Sequence, residues 1–225
     1  MKFRFLFGVV LVAVACFAPA GAEVIYDNGD SIQSIGLPGI DPFFMPADNF
    51  VLQTGASTIT EFHWTGYYAL NEVDKVVPID DFTVYIFADN GGSPGTQLFS
   101  FDDAVTATAT GTNALGIFPE YEYVMAIDPL ALTAGTTYWI GILNDITFPD
   151  PVKGVTPVQN AWFWSTSQVQ TGDAHQKFVT AWLDANVELA FDLHGPGVVP
   201  EPATMTLLGA GLVAIAARRR FMRGK

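Results

Sequence analysis

The chain has 225 residues, of which 50% are hydrophobic and 15% charged, and its formal net charge is −13. The imbalance is concentrated in residues 23–199, which hold 22 acidic side chains, three lysines and no arginine, a formal charge of −19. Such a domain repels nucleic acid and anionic lipid and has no guanidinium group to bind phosphate, so we expect neither as a partner. Divalent cations and neutral ligands such as polysaccharide stay compatible with this charge.

The N-terminus predicts a secretory signal peptide over residues 1–22. A short basic start is followed by an apolar stretch over residues 5–17 and by a small-x-small cleavage site. We expect the secretion translocon to export the chain and cleavage to fall between Ala22 and Glu23. If Cys16, the only cysteine, leaves with this peptide, the exported body has no disulfide, no cysteine nucleophile and no thiolate metal site.

Residues 23–197 predict one domain whose pattern is almost entirely strand-like. Short runs rich in aromatic and β-branched residues alternate with turns that contain glycine, proline, asparagine and aspartate. We expect an all-β fold, an antiparallel two-sheet sandwich of jelly-roll type, with a barrel as the second choice. The predicted strands are Val24–Tyr26, Asn49–Gln53, Thr58–Tyr68, Phe82–Ala88, Gln97–Phe101, Val105–Thr110, Glu122–Asp128, Thr136–Leu143, Ala161–Ser165, Phe178–Trp182 and Glu188–His194.

The strand at residues 82–87 alternates in an informative way. Side chains 82, 84 and 86 share one apolar face, and side chains 83, 85 and 87 share another face that is also rich in aromatic rings. This pattern predicts a central strand that is covered on both faces. The glycine-rich segment at residues 89–95 follows it and predicts a hairpin turn.

The search for catalytic motifs gives no enzyme class, and we expect a protein without catalytic residues. Residues 91–95 fit the G-x-S-x-G pattern of a hydrolase, but Pro94 has no amide hydrogen for an oxyanion hole and no helical pattern follows. The three histidines, His63, His175 and His194, lack zinc-site spacing, so we expect each to be a packed or surface side chain. Acidic pairs are numerous, but sequence spacing cannot establish the geometry that a glycosidase needs.

Two weaker ligand hypotheses concern calcium and carbohydrate. Asp27, Asp30 and Asp89 supply oxygen ligands in turns, so calcium is a possible cofactor, although ordinary Asx-turns are the favoured interpretation. Trp162 and Trp164 alternate around one residue and point to the same strand face. Exposed, these two rings would form a platform for stacking on sugars, whereas buried they belong to the core, which is the favoured interpretation.

The C-terminal segment, residues 198–225, has three parts that together predict a sorting tail. Pro200, Glu201 and Pro202 form a rigid extended motif, because each proline fixes its backbone and the second excludes a helical conformation at the glutamate. An apolar stretch over residues 203–217 follows; its length of roughly 22 Å is short of the roughly 30 Å hydrocarbon core, so it predicts a marginal transmembrane helix that thins the bilayer or uses flanking residues. The segment ends with a basic stop that includes Arg218, Arg219, Arg220 and Arg223. By the positive-inside rule this stop stays in the cytoplasm and the body lies outside.

This order of motif, apolar helix and basic stop resembles the PEP-CTERM domain of bacterial surface proteins. The resemblance implies that an exosortase, a membrane protease, recognises the Pro-Glu-Pro motif and processes the protein. It implies an inner-membrane-anchored precursor that later reaches the cell surface or the extracellular matrix. We therefore expect a non-enzymatic cell-envelope protein, with a carbohydrate-binding module for extracellular polysaccharide as the alternative.

Overall fold

The computed structural model describes residues 22–40, 44–69, 80–144, 161–169 and 171–196. Within these ranges every long regular element is a β-strand, and no helix there is long and apolar enough to cross a membrane. The strands, in chain order, are β1 (Ala22–Asp27), β2 (Leu37–Pro38), β3 (Phe44–Val51), β4 (Thr58–Ala69), β5 (Asp80–Asp89), β6 (Pro94–Val105), β7 (Thr108–Ala114), β8 (Phe118–Ala131), β9 (Thr137–Asn144), β10 (Ala161–Trp164), β11 (His175–Phe178), β12 (Ala181–Asp184) and β13 (Phe191–Pro196).

The strands form two sheets, and all pairs between named strands are antiparallel. In the first sheet β4 pairs with β8 along one edge and with both β13 and β10 along the other. Strand β13 pairs in turn with β1, and β10 pairs with β2. The second sheet has the order β12, β11, β3, β9, β5, β6. The prediction of an all-β fold with two antiparallel sheets is confirmed, and the jelly-roll subtype stays a prediction. The predicted transmembrane helix at residues 203–217 lies outside the described residues, as does the predicted signal peptide at residues 1–22 except for Ala22, which begins β1.

Aromatic side chains from both sheets fill the space between them. Trp64 of β4 lies edge-on to Phe82 of β5 with ring centroids 5.2 Å apart, and Phe82 lies edge-on to Trp162 of β10 at 5.0 Å. Pairs of this geometry contribute about 0.5–1.5 kcal/mol beyond the hydrophobic free energy of burying the rings. The aromatic runs of the sequence are therefore the segments that hold the two sheets together.

Strand β5 is covered on both faces, as its sequence predicts. Val84 and Ile86 are fully buried in the main core, while Phe87 on the opposite face packs with Trp139 in a second, smaller cluster. Trp182 of β12 lies edge-on to Phe87 and covers that cluster from outside. The predicted turn is also present, since the amide of Asn90 donates to the carbonyl of Ser93 between β5 and β6.

Two predicted strands cross a break between strands of the structure, and one short strand was not predicted. The predicted strand Phe178–Trp182 is wrong, because those residues span the turn between β11 and β12. The predicted strand Val105–Thr110 crosses the end of β6 and the start of β7, with a break between them. The short strand β2 was not predicted, since two residues carry no alternation. A turn without glycine or proline gives no clear sequence signal for the end of a strand. A very short strand is likewise too short to show the alternation from which strands are predicted.

Candidate functional site

Two histidines that are distant in sequence meet on the outer face of the first sheet. The antiparallel pairing of β4 with β13 places His63 opposite Asp192 and His194 opposite Glu61. The alternate side chains Phe62 and Leu193 are fully buried in the core, so the four polar side chains point away from it. We call Glu61, His63, Asp192, His194 and the neighbouring Glu122 of β8 the histidine cluster.

The histidine cluster is closely packed. The rings of His63 and His194 are stacked with centroids 3.8 Å apart and an angle of 7° between their planes. Nε2 of His63 lies 3.0 Å from Oε2 of Glu61, and Nε2 of His194 contacts Oδ2 of Asp192. Nδ1 of His63 lies 3.7 Å from a carboxylate oxygen of Glu122 and 3.8 Å from one of Asp192. Three carboxylates therefore surround two imidazole rings.

Burial affects the charge balance of this cluster. It raises the pKa of Asp192 above its ordinary value, and the hydrogen bond from His194 together with the charges of both histidines acts in the opposite direction. Glu61 and Asp192 are still about one-third exposed, so ions from solvent can reach the cluster. One carboxylate oxygen of Glu61 and one ring nitrogen each of His63 and His194 lie within 4.8 Å of one another, close enough to approach a single metal ion.

A cavity of about 200 Å³ adjoins the histidine cluster and shares two of its residues, Glu122 and Asp192. Asp30, Thr65 and Thr110 also line it, so its walls carry carboxylates and hydroxyl groups. Such a lining suits a hydrated cation or a small polar molecule better than an apolar ligand.

The sequence spacing of His63 and His194 did not predict that they lie together, and strand pairing brings them into contact. A signal was nevertheless present in the sequence. All three histidines follow an acidic residue by two positions, as Glu61-x-His63, Asp173-x-His175 and Asp192-x-His194. In a strand, this spacing places the acid and the imidazole on the same face. The third histidine, His175, lies on β11 of the other sheet and packs edge-on against Trp139.

The predicted carbohydrate platform is contradicted. Trp162 and Trp164 are 1% and 0% exposed, so neither ring has a face open to a sugar. Both point into the core, where Trp164 packs edge-on against Phe191 and donates its indole hydrogen to the carbonyl of Ala190. Their alternation reflects the inner face of β10, and the favoured interpretation as core residues agrees with the structure.

The three aspartates considered for calcium lie in or beside turns. Asp27 accepts a hydrogen bond from the amide of Gly29, two residues on. Asp89 accepts from the amides of Gly91 and Gly92 and from the indole of Trp139, and the indole contact is the main cause that lowers its pKa. These contacts are those of Asx-turns. Asp30 is exposed and lines the cavity beside the histidine cluster.

The predicted signal cleavage position pairs with the last described strand at one edge of the first sheet. Ala22 and Glu23, the predicted cleavage position, begin β1 and pair with Pro196 and Gly195 of β13. The predicted sorting motif begins at Pro200, outside the described residues, as does the basic stop at residues 218–223. The family described as the PEP-CTERM protein-sorting motif matches residues 198–220.

The chain carries a PEP-CTERM sorting tail.

The matched segment contains the Pro-Glu-Pro sequence, the apolar stretch and three arginines of the basic stop. A PEP-CTERM motif implies export, a membrane-anchored precursor, and processing by an exosortase for display at the surface. No curated protein and no solved structure matches the chain. The PEP-CTERM match therefore concerns the destination of the protein, and the body must be interpreted from its own geometry.

Proposed function

We propose that this PEP-CTERM protein is a non-enzymatic component of the cell envelope or extracellular matrix. In this proposal the signal peptide directs the chain to the translocon, and residues 203–217 hold the precursor in the inner membrane. An exosortase then processes the chain near Pro200-Glu201-Pro202, and the sandwich domain remains at the surface or in the matrix. The observation that carries the proposal is the match of residues 198–220 to the sorting motif.

The position of the motif relative to the folded body supports this order of events. Strand β13 ends at Pro196, and the motif begins four residues later. Because an extended chain spans at most about 3.6 Å per residue, the motif lies within about 15 Å of the end of β13. A protease at the membrane surface would thus act close to the β1–β13 edge, and cleavage there leaves the described strands intact.

The absence of catalysis is also part of the proposal, and one buried acid supports it. Glu120 is 1% exposed and accepts hydrogen bonds from the hydroxyl groups of Ser31, Ser165 and Thr112. These contacts join β8 to the loop after β1, to β7 and to the end of β10. A carboxylate so enclosed stabilises the fold and has no path to a substrate. Carbohydrate binding stays an alternative, but its binding surface is not identified, since Trp162 and Trp164 are buried.

The processing step is tested by replacing Glu201 in the native host. We expect the Glu201→Ala variant to accumulate in the membrane with its C-terminus at Lys225, because the extended motif has lost its only charged side chain. The matched control is Thr204→Ala, which changes the same tail outside the motif and should be processed normally. Fractionation and mass spectrometry of both ends are the measurements, and the mature N-terminus is expected at Glu23. Surface protein of the native sequence that still ends at Lys225 would contradict the proposal.

A further inference from the structure

We propose that Glu61, His63 and His194 bind one transition-metal ion of the zinc class on the outer face of the first sheet. The three donor atoms, one from each side chain, lie within 4.8 Å of one another. They come from two strands whose pairing is fixed by the core residues between them, so folding itself brings the donors together. This inference concerns the body of the protein and does not depend on how the tail is processed.

One pair of the donors is spaced nearly as in a bound site, and all three lie within 4.8 Å of one another. Two ligand atoms of a tetrahedral zinc ion, each at about 2.0–2.1 Å from the metal, lie about 3.3 Å from one another. Oε2 of Glu61 and Nε2 of His63 are 3.0 Å apart. The imidazole rings are parallel, and lone pairs lie in the plane of each ring, so binding one ion requires the rings to tilt towards each other. Both histidine side chains reach the sheet surface, where each is about 15% exposed.

Carboxylates around the two rings provide outer-sphere support. Asp192 contacts Nε2 of His194 and lies 3.8 Å from Nδ1 of His63, and Glu122 lies 3.7 Å from the same Nδ1. In metal sites the second ring nitrogen of a ligating histidine usually donates to a carboxylate, which orients the ring and increases its basicity. Asp192 is placed to take that role at Nε2 of His194, and Asp192 and Glu122 lie nearest to Nδ1 of His63, so the ion would bind the other nitrogen of each ring.

The charge of the region favours a cation. The cluster combines three carboxylates with two imidazoles, and the body of the chain carries a formal charge of −19. Lys177, the lysine that the structure describes, lies on β11 of the other sheet and sits over the ring of Trp182. A divalent ion bound between Glu61 and the histidines would offset part of the repulsion among the acids of this face.

The donor set selects the class of metal. Imidazole nitrogen with one carboxylate suits zinc, cobalt, nickel or copper, whereas calcium takes six to eight oxygen ligands and magnesium keeps several waters. Three protein ligands leave one tetrahedral position for water or an external ligand.

The test uses the full chain without a histidine tag, purified in mild detergent and freed of metal with a chelator. Zinc chloride is titrated calorimetrically with magnesium in large excess, so that weak binding to the many surface acids is suppressed. We expect one zinc ion per chain. His63→Ala and His194→Ala should each weaken binding on the order of 100-fold or more, since loss of an outer-sphere partner alone costs about 10–100-fold. His175→Ala is the matched control and should bind as the native chain does.

Two further variants separate metal binding from a folding defect. Glu61→Gln keeps the size of the side chain but removes its charge, and Asp192→Asn should weaken zinc binding about 10–100-fold as an outer-sphere change. The melting temperature of every variant without zinc should match that of the native chain, and zinc should raise it in the native chain and in His175→Ala. Equal zinc affinity in His63→Ala, His194→Ala and His175→Ala overturns the proposal, as does a titration with many weak sites and no single strong one.

Discussion

A buried acid pair joins the first and last parts of the body. Asp48 and Glu188 are 0% and 2% exposed, and the side-chain amide of Asn28 donates to both carboxylates and to the carbonyl of Leu189. Burial, and after it the charge of Glu188, raises the pKa of Asp48 well above its ordinary value, although the amides of Leu189 and Asn49 oppose this. Asp48 therefore retains a proton in the folded chain at a pH where the unfolded chain has released it.

The first prediction is that the body loses stability as pH rises from about 4 towards neutral. The pKa of Asp48 is raised only in the folded state, so in that window the folded state binds more protons than the unfolded state. The free energy of unfolding therefore falls as the pH rises. Asp48→Asn cannot titrate, and its pH dependence should be shallower. Urea denaturation at a series of pH values measures both slopes. The exposed control Asp102→Asn should keep the native slope, and a native slope in Asp48→Asn would refute the assignment.

The second prediction concerns Trp164, which fills the core between β10 and β13. Trp164→Ala should lower the free energy of unfolding by about 3–5 kcal/mol, since it removes a fully buried ring and leaves a cavity. That is a large part of the roughly 5–15 kcal/mol that holds a domain together. Ile117→Ala, at a position that is 66% exposed, should change stability by less than about 0.5 kcal/mol. An unchanged denaturation midpoint in Trp164→Ala, with lost retention on insoluble glycans, would restore the platform hypothesis.

Strand β4 organises the first sheet. It pairs with β8 along one edge, and on the other edge with β13 near its centre and β10 near its end. Its inner side chains, Phe62 and Trp64, enter the core, and its outer side chains, Glu61 and His63, belong to the histidine cluster. One strand thus determines both how the two sheets pack and where the metal donors lie.

The third prediction concerns Gly66, where β4 approaches the ring of Trp162. A Cβ atom at this position would lie 2.5–2.6 Å from three atoms of the indole ring, which is too close for any side chain. Gly66→Ala should therefore destabilise the fold by about 1–3 kcal/mol, because the enclosed ring has no space to move into. Thermal unfolding measures the effect. The control is Thr65→Ala, at the neighbouring position on the outer face. A Gly66→Ala variant that melts at as high a temperature as this control would contradict the packing at Gly66.

On the scale of the whole molecule, the first and last described strands pair with each other. The ladder runs from Ala22 opposite Pro196 to Asp27 opposite Asp192. Both targeting segments therefore leave the body at the same edge of the first sheet. The other whole-molecule property is charge, since residues 23–199 hold 22 acidic side chains and only three lysines.

The fourth prediction follows from this charge. Raising the sodium chloride concentration from about 0.01 M to 0.1 M shortens the Debye length from about 30 Å to about 10 Å, which weakens repulsion among the acids. The melting temperature of the chelator-treated chain should therefore rise. Calcium and magnesium at matched ionic strength should raise the melting temperature equally if they only screen charge. A larger increase with calcium would indicate a specific site at Asp27, Asp30 or Asp89. A flat or falling melting temperature would exclude self-repulsion as a significant cost.

The sequence by itself determined the sorting tail, the fold class and most strands. A PEP-CTERM motif is a local feature, so residues 198–220 can be recognised without the fold. Alternation with period two is also local, which explains why the strand around Val84 was predicted with both faces covered.

Only the tertiary structure decided which side chains meet and which face of a strand is enclosed. Alternation showed that Trp162 and Trp164 share a face, but the second sheet determines that this face is the inner one. The acid-x-His spacing is visible three times, at His63, His175 and His194, yet only the pairing of β4 with β13 brings His63 and His194 to a centroid distance of 3.8 Å. The physical reason is that strand pairing joins residues far apart in the chain, and a local pattern specifies the face of a strand but not its neighbour.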